Sequence, residues 1–183
     1  MENKRAAFEM SVGTIVTIVL SVTLLVLGIF FVQQVFSSAK GVAELTDEQM
    51  RNEINKLFSV EDKIIIYPST KYVEIKQEST DGVGVGIKNL QQGVSGDTTF
   101  SYIVSAEDVS NCGVTAEVAE SWIALGKSAT DLSIASGDLA TRKVLFNIPV
   151  GAPLCTARYK VEVTADGKRY GTSVSFDVNI KPK

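Results

Sequence analysis

The chain has 183 residues, which leaves room for one ordinary domain plus an anchor and not for two full domains. Its net charge is only −3 and no basic stripe is present, so we expect no nucleic-acid partner. It has no histidine and only two cysteines, so the commonest general base and a four-ligand zinc site are both missing, and we expect no metal and no cofactor.

The first predicted element is a transmembrane helix over residues 10–39. No residue in this stretch is charged, and residues 12–36 are mostly Val, Ile, Leu and Phe. About 20 residues cross the hydrocarbon core of a bilayer, so the stretch is long enough to span it. The small residues Ser37, Ser38 and Ala39 leave a cleaved secretory signal as the alternative, although the apolar region of such a signal usually has about 7–15 residues.

The charges around this helix predict its orientation. Lys4 and Arg5 lie in the leader, residues 1–9, and only Lys40 follows the helix closely. The positive-inside rule therefore predicts a single-pass plasma-membrane protein with its N-terminus in the cytoplasm and its C-terminal domain outside the cell.

Small residues recur on one face of the predicted helix. At 100° per residue they lie within about 100° of arc, which allows close approach of a second helix and predicts association of copies through this face. The alternative is that the hydroxyls are tolerated in lipid because they bond back to the preceding turn. The residues are Gly13, Thr14, Thr17, Ser21 and Gly28.

A connector with a short amphipathic helix is predicted for residues 40–62. Thr46 and Gln49 form a capping-box pattern, and Leu45 and Met50 are placed for a hydrophobic staple. Apolar residues then recur at helical spacing until near Ser59. Six acidic residues face three basic ones in this segment, which favours a solvated spacer.

Residues 63–183 change to a period of two, which predicts an extracytoplasmic, mainly β domain with antiparallel strands around a single core. Asp166-Gly167 predicts a hairpin between the last two runs. Six alternating runs, with a seventh candidate strand at Trp122-Ile123, favour a β-sandwich of about seven strands. The runs cover residues 73–75, 83–87, 100–104, 144–148, 159–163 and 174–180. The predicted core is Val85, Ile87, Phe100, Tyr102, Phe146, Ile148, Tyr159, Val161, Val163, Phe176 and Val178.

The second half of this domain resembles the immunoglobulin-like or fibronectin-type modules of archaeal surface proteins. The resemblance covers roughly residues 63–181 and is carried by the turn Ser136-Gly137-Asp138, a strand ending in Ile148-Pro149, and Tyr159 opening the next strand. It implies an immunoglobulin-like β-sandwich that presents a binding surface. Such modules often have glycine where this chain has Cys155.

Cys112 and Cys155 are predicted to form a disulfide, because the anchor exports the domain and disulfides persist outside the cytoplasm. The cysteine at position 155 in place of the glycine of similar modules supports this interpretation. Two unrelated buried thiols are the alternative.

The N-terminus resembles the class III signal of archaeal type IV pilins and archaellins. A short polar leader with Lys4-Arg5-Ala6 precedes Ala7 and the apolar helix. The resemblance implies cleavage between Ala6 and Ala7, a helix that packs into a filament core, and Glu9 paired with the freed amine.

No catalytic constellation stands out. Ser105, Ser133 and Ser136 have no histidine to activate them, and the aspartates at 97, 108, 131 and 138 lack calcium-loop spacing. The glycines of residues 82–86 lie in a strand and indicate close approach of other backbone, not a phosphate loop. We therefore expect a non-enzymatic surface protein for adhesion, binding or assembly, whose partners are the lipid bilayer and an unknown surface protein or glycan. A filament-forming pilin-like subunit is the alternative.

Overall fold

A computed structural model describes residues 3–37, 41–59, 61–91 and 97–183. The chain divides into two compact units, residues 1–40 and residues 41–183. In the first unit, helix α1 (Asn3–Ser37) is continuous over 35 residues and includes the predicted leader from Asn3 onward. Ser38, Ala39 and Lys40 lie outside the described residues.

The second unit is mainly β and contains two sheets and two further helices. Strands β1, β3, β7 and β5 form a four-stranded sheet in that order, and β2, β10, β8, β4 and β6 form a second sheet, where β9 pairs with β8. This second sheet curls into a half-barrel. The helices are α2 (Asp47–Leu57) and α3 (Ala116–Ser121), and the strands are β1 (Ile64–Tyr67), β2 (Tyr72–Lys76), β3 (Thr80–Lys88), β4 (Thr98–Asp108), β5 (Ile123–Leu125), β6 (Ser128–Ile134), β7 (Leu139–Asn147), β8 (Thr156–Ala165), β9 (Lys168–Arg169) and β10 (Val174–Lys181).

The six alternating runs lie in strands except for Ile148, which follows the last residue of β7, and the seventh candidate strand is present as β5. Most pairings are antiparallel, as predicted, but β2 runs parallel to β10, with Val73 opposite Val178. The expectation of a wholly antiparallel sheet system was therefore wrong. Alternation along a strand shows which face is buried, but it carries no information on the direction of a neighbouring strand.

The predicted core is confirmed, because all eleven of its residues are buried. Three aromatic rings lie at its centre: Phe146 packs 4.8 Å from Tyr159, and Tyr159 packs 5.8 Å from Phe176, centroid to centroid. Alternate residues of both sheets supply the remaining apolar side chains, as in a two-layer β domain.

The Asp166-Gly167 turn is present, but it connects β8 to the two-residue strand β9 before the chain reaches β10. Asp166 has a φ of 48° and Gly167 a φ of 75°. Positive φ at both central residues is the conformation that two-residue hairpins prefer, which explains the glycine.

Helix α2 begins at the predicted capping box. The Gln49 amide donates to the Thr46 hydroxyl over 3.2 Å, and the Thr46 amide donates to Gln49 Oε1 over 3.1 Å. The helix ends at Leu57, two residues before the predicted end. Because its cap is local, the sequence alone was sufficient to place its first residue.

The structure places α2 on the four-stranded sheet and not in a free spacer. Met50 and Ile54 are fully buried in a second apolar cluster with Val42 and Leu45. Strand β3 meets this helix with Gly84 and Gly86, while Val83, Val85 and Ile87 face the main core on its other side.

The glycines of β3 make this close contact possible. A Cβ at Gly84 would lie 3.0 Å from Ile54 Cδ1, and one at Gly86 would overlap Ile54 Cγ2 and lie 2.9 Å from the Phe58 ring. At Gly82 the added atom would overlap the backbone oxygen of Val144. The predicted close approach of other backbone is therefore confirmed at Gly82. At Gly84 and Gly86 the glycines instead leave room for side chains of α2 and of Phe58, which follows it.

We predict that Gly86→Ala destabilises the outer unit by about 1–3 kcal/mol, because the added methyl overpacks the contact with α2. The free energy of unfolding is measured on the full chain in mild detergent, by denaturant titration followed through Trp122 fluorescence. Adding Ile54→Ala should make the combined cost smaller than the sum of the two single costs, because the shorter side chain frees the space. Strictly additive costs would show that the two residues do not compete for the same volume.

Candidate functional site

The first candidate site is the exposed apolar surface of α1. Every side chain described in this helix, from Gly13 to Phe30, is exposed, and this segment has a mean hydropathy of 2.5. Side chains such as Leu24 and Phe30 are more than 60% exposed. In water such a surface is unfavourable, so the helix is a candidate for a single membrane span.

The small-residue face lies within this segment. A Cβ added at Gly13 or Gly28 would meet no atom within 4 Å, so no packing within the described chain requires glycine at either position. The Thr17 hydroxyl donates to the Gly13 carbonyl over 2.7 Å, and the Thr23 hydroxyl donates to the Val19 carbonyl over 2.8 Å. These bonds satisfy the two hydroxyls within the helix, so both threonines can lie in lipid. The small-residue face also includes Ser21, and small side chains allow close approach of a second helix.

The predicted processing and assembly residues lie further toward the N-terminus. The backbone at Ala6, Ala7 and Glu9 is helical. Their roles in cleavage and assembly stay predictions.

The second candidate site is one end of the β domain, where the cysteines lie. Cys112 ends a short 3₁₀ turn (Ser110–Cys112) after β4, and Cys155 immediately precedes β8. They form a disulfide with their Cα atoms 5.1 Å apart, and both are buried. The bond fixes the connection after β4 to the loop between β7 and β8.

Helix α3 is held at this same end by buried polar contacts. The Tyr159 hydroxyl donates to the Ala119 carbonyl over 2.9 Å, and the Asn147 amide donates to the Trp122 carbonyl over 2.8 Å. Burial raises the pKa of Tyr159 well above its ordinary value, so the phenol stays a neutral donor. This six-residue helix was not predicted from the sequence, because it is too short to show a periodic pattern.

The loop between β7 and β8 carries the most exposed large apolar side chain of the described chain. We call residues 149–154 the apolar loop. Val150 is 74% exposed and Leu154 is 58% exposed. The Ala152 amide donates to the Pro149 carbonyl over 3.2 Å, and Gln77 Nε2 donates to the Ala152 carbonyl over 2.6 Å. The loop is therefore an ordered turn that presents apolar side chains to its surroundings.

The opposite end of the domain has an open depression with charged side chains around it. Lys63, Lys168 and Arg169 lie around Tyr170, and the Lys63 ammonium lies 5.1 Å from the centroid of the Tyr170 ring. All three cations are exposed on the surface. Among the described residues, those that line the depression do not include the convergent buried polar groups that hold a small molecule.

Two of the three serines considered as nucleophiles donate their hydroxyls to neighbouring acceptors. The Ser133 hydroxyl donates to Asp97 Oδ2 and the Ser136 hydroxyl donates to the Gln91 carbonyl, each over 2.6 Å. In the described part of the chain, no group of three or more His, Cys, Asp or Glu side chains is placed to hold a metal ion.

Comparisons with known proteins give no family. No protein-family model matches the sequence, and no curated protein matches it. Solved structures with some similarity include a DNA glycosylase, AlkC, from Pseudomonas fluorescens (14% identity, TM-score 0.34, 64% of this chain and 30% of that chain). A second is a family 123 glycoside hydrolase from Clostridium perfringens (14% identity, TM-score 0.33, 61% of this chain and 23% of that chain). A third is a Niemann-Pick type C2 protein from the Japanese carpenter ant (16% identity, TM-score 0.35, 66% of this chain and 90% of that chain).

This chain thus spans less than a third of the length of the glycosylase and of the hydrolase. At these identities and TM-scores, the similarities carry no argument about what this chain does.

We predict that the unreduced protein, unfolded in denaturant, reacts with no thiol reagent, because both cysteines are in the disulfide. After reduction two thiols should react, and the outer unit should lose roughly 4 kcal/mol of stability, the chain-entropy value for closing a loop of this length. Intact mass after alkylation counts the thiols. Two alkylated cysteines without reductant would contradict the pairing.

Proposed function

We propose that the chain is a single-pass membrane-anchored surface protein that presents an immunoglobulin-like domain outside the cell for adhesion, binding or surface assembly. The observation that supports this proposal most strongly is the exposed apolar segment of α1. Its 18 residues, Gly13–Phe30, extend about 27 Å as a helix, and the apolar sequence continues on both sides, which suits a hydrocarbon core of about 30 Å.

The orientation rests on charge and on the disulfide. Lys4 and Arg5 precede the span, which favours the cytoplasm for that side. The Cys112–Cys155 bond lies in the unit on the other side, and disulfides form and persist in oxidising surroundings. Both features support display of the β domain outside the cytoplasm.

The immunoglobulin-like assignment is supported by the strand order. Naming the strands in the usual way, the sheet β1-β3-β7-β5 corresponds to A-B-E-D, and β10-β8-β4 corresponds to G-F-C. Strand β2 beside β10 and strand β6 beside β4 extend the second sheet, and β6 has the position of C′. One feature departs from that scheme: β5 precedes β6 in the chain, so the D-like strand comes before the C′-like strand.

A non-enzymatic role is favoured by the chemistry that the chain carries. It has no histidine, and its serines at 133 and 136 donate to Asp97 and to a backbone carbonyl, not to a general base. Its charged side chains form cross-strand pairs such as Arg158 with Asp177 at 2.8 Å. Such a mixed polar surface suits contact with another surface protein or a glycan, and no basic stripe is present for nucleic acid.

Membrane topology tests this proposal. Because the native cysteines are paired, a cysteine placed at Glu2 or at Thr172 gives a single reactive thiol. A membrane-impermeant maleimide should label Thr172→Cys on intact cells and label Glu2→Cys only after permeabilisation. The protein should also stay in the membrane fraction after carbonate extraction. Labelling of Glu2→Cys on intact cells, or release by carbonate, would refute the anchor as proposed.

A filament-forming pilin-like subunit is the second candidate, and one observation favours it. Helix α1 has 35 residues, which is longer than a bilayer requires, and a Cβ added at Gly13 or Gly28 would meet no described atom within 4 Å. In this case cleavage between Ala6 and Ala7 would place Glu9 near the new N-terminus.

The two candidates differ in their response to a bulky side chain on this face. Gly13→Leu or Thr17→Leu should abolish filaments or oligomers if copies pack through the helix, because close approach is lost. A plain anchor should insert and display its domain unchanged, since both changes make the span more apolar. Cross-linking in native membranes measures assembly, and Val26→Leu is a matched enlargement on the opposite side of the helix. A wild-type chain that stays monomeric and keeps Met1 by intact mass would exclude the pilin-like candidate.

A further inference from the structure

The apolar loop is exposed, stiff and without charge. No charged residue occurs between Lys143 and Arg158. Val150 and Leu154 expose 74% and 58% of their surface within five residues of each other, next to Pro149 and Pro153. Scattered exposed aliphatic residues are ordinary, but two on one small turn concentrate exposed apolar surface in a short segment.

The backbone of this loop is suited to leaving water. Pro149 and Pro153 have no N–H to satisfy, and the Ala152 N–H already donates to the Pro149 carbonyl. The Ala152 carbonyl accepts from Gln77, and the Ile148 carbonyl accepts from the Glu78 amide over 2.9 Å. These bonds and the two prolines satisfy or remove part of the polar backbone groups of the loop, which lowers the cost of moving it from water into an apolar medium.

The loop lies at the end of the domain where the chain enters from α1. The Ala43 amide donates to Asp81 Oδ1 over 3.2 Å, and Asp81 pairs with Phe146 across β3 and β7. From there the Ile148 amide donates to the Ser79 carbonyl over 3.3 Å, one residue before the apolar loop. Gly41, at the start of this unit, would bring a Cβ against the Asp81 carboxylate. We call this the entry end.

The covalent connection limits the distance between the last residue of α1 and the first residue of the outer unit. Three residues separate Ser37, the last residue of α1, from Gly41. Four Cα–Cα steps of 3.8 Å reach at most about 15 Å, whatever the conformation. With the proposed anchor in place, a lipid surface is the apolar medium to which the chain itself tethers the entry end.

We propose that the apolar loop docks into the outer membrane interface, with Val150 and Leu154 among the lipid headgroups and upper acyl chains. This inference rests on the proposed membrane anchor. In this proposal the partner of the apolar loop is lipid and not another protein or a glycan. The entry end then faces the membrane, and the opposite end of the domain faces outward. Two aliphatic side chains bind a membrane only weakly when free, but tethering makes the contact intramolecular and sufficient to orient the domain.

A depth measurement on the full chain tests this inference. Single cysteines at Leu154, Ile103 and Leu25 are labelled with an environment-sensitive NBD fluorophore, which is specific because the native cysteines are paired. Ile103 is the matched control, since it is also apolar and 47% exposed but lies in the middle of β4. Each variant is placed in nanodiscs at one chain per disc, with and without nitroxide-labelled phospholipid.

We expect the lipid quencher to reduce emission at Leu154→Cys at least about twofold more than at Ile103→Cys, because only the former reaches the interface. Adding Val150→Asp should then reduce quenching at position 154, since a carboxylate resists leaving water. Adding Thr130→Asp, on the exposed edge strand β6, should leave it unchanged.

Different results separate the docking from the anchor. Quenching at Leu25→Cys with equal quenching at positions 154 and 103 would overturn the docking alone. Loss of quenching at Leu25→Cys would overturn the anchor and the docking together. The same variants are also placed in discs that hold two chains. If emission at position 154 shifts only in those discs and does not respond to the lipid quencher, a second copy covers the loop, and the proposal is overturned.

Discussion

The close contact between α2 and β3 determines how the outer unit is built around its entry point. Gly84 and Gly86 remove the side chains that would hold a helix away, and Met50 and Ile54 fill the resulting groove. Strand β3 is consequently covered on both faces, by the main core on one side and by α2 on the other. Without this contact, residues 42–58 would form a loose connector, and the first residues after the anchor would not belong to the folded unit.

The same contact gives the domain two chemically different ends. Helix α2 starts at the entry end, near Asp81, and runs along β3 toward Lys88, whose ammonium lies 5.9 Å from the centroid of the Phe58 ring. The entry end carries the disulfide, α3, the apolar loop and the Lys183–Glu78 ion pair, whereas the opposite end carries exposed cations around Tyr170. The exposed side chains of Val150 and Leu154 can leave water at low cost, and they are the feature of the entry end that favours the membrane contact proposed above.

A large part of this organisation was readable from local sequence. The capping box of Thr46 and Gln49, the period-two strands and the hairpin at Asp166-Gly167 each depend on residues only a few positions apart. Strands β1 and β6 were not assigned, because β1 is a short continuous apolar run and β6 exposes polar residues on most of its length. Neither pattern alternates clearly enough to distinguish a strand from a loop.

The sequence by itself determined the apolar helix, the cap of α2, the inward face of each alternating strand and the two cysteines available for pairing. These features follow from hydrophobic period and from hydrogen bonds within one turn. Only the tertiary structure decided that β2 runs parallel to β10, that α2 lies on Gly84 and Gly86, and that the apolar loop lies at the entry end. Each of these depends on packing between segments far apart in the chain, and periodicity records which face of a segment is buried but not which segment buries it.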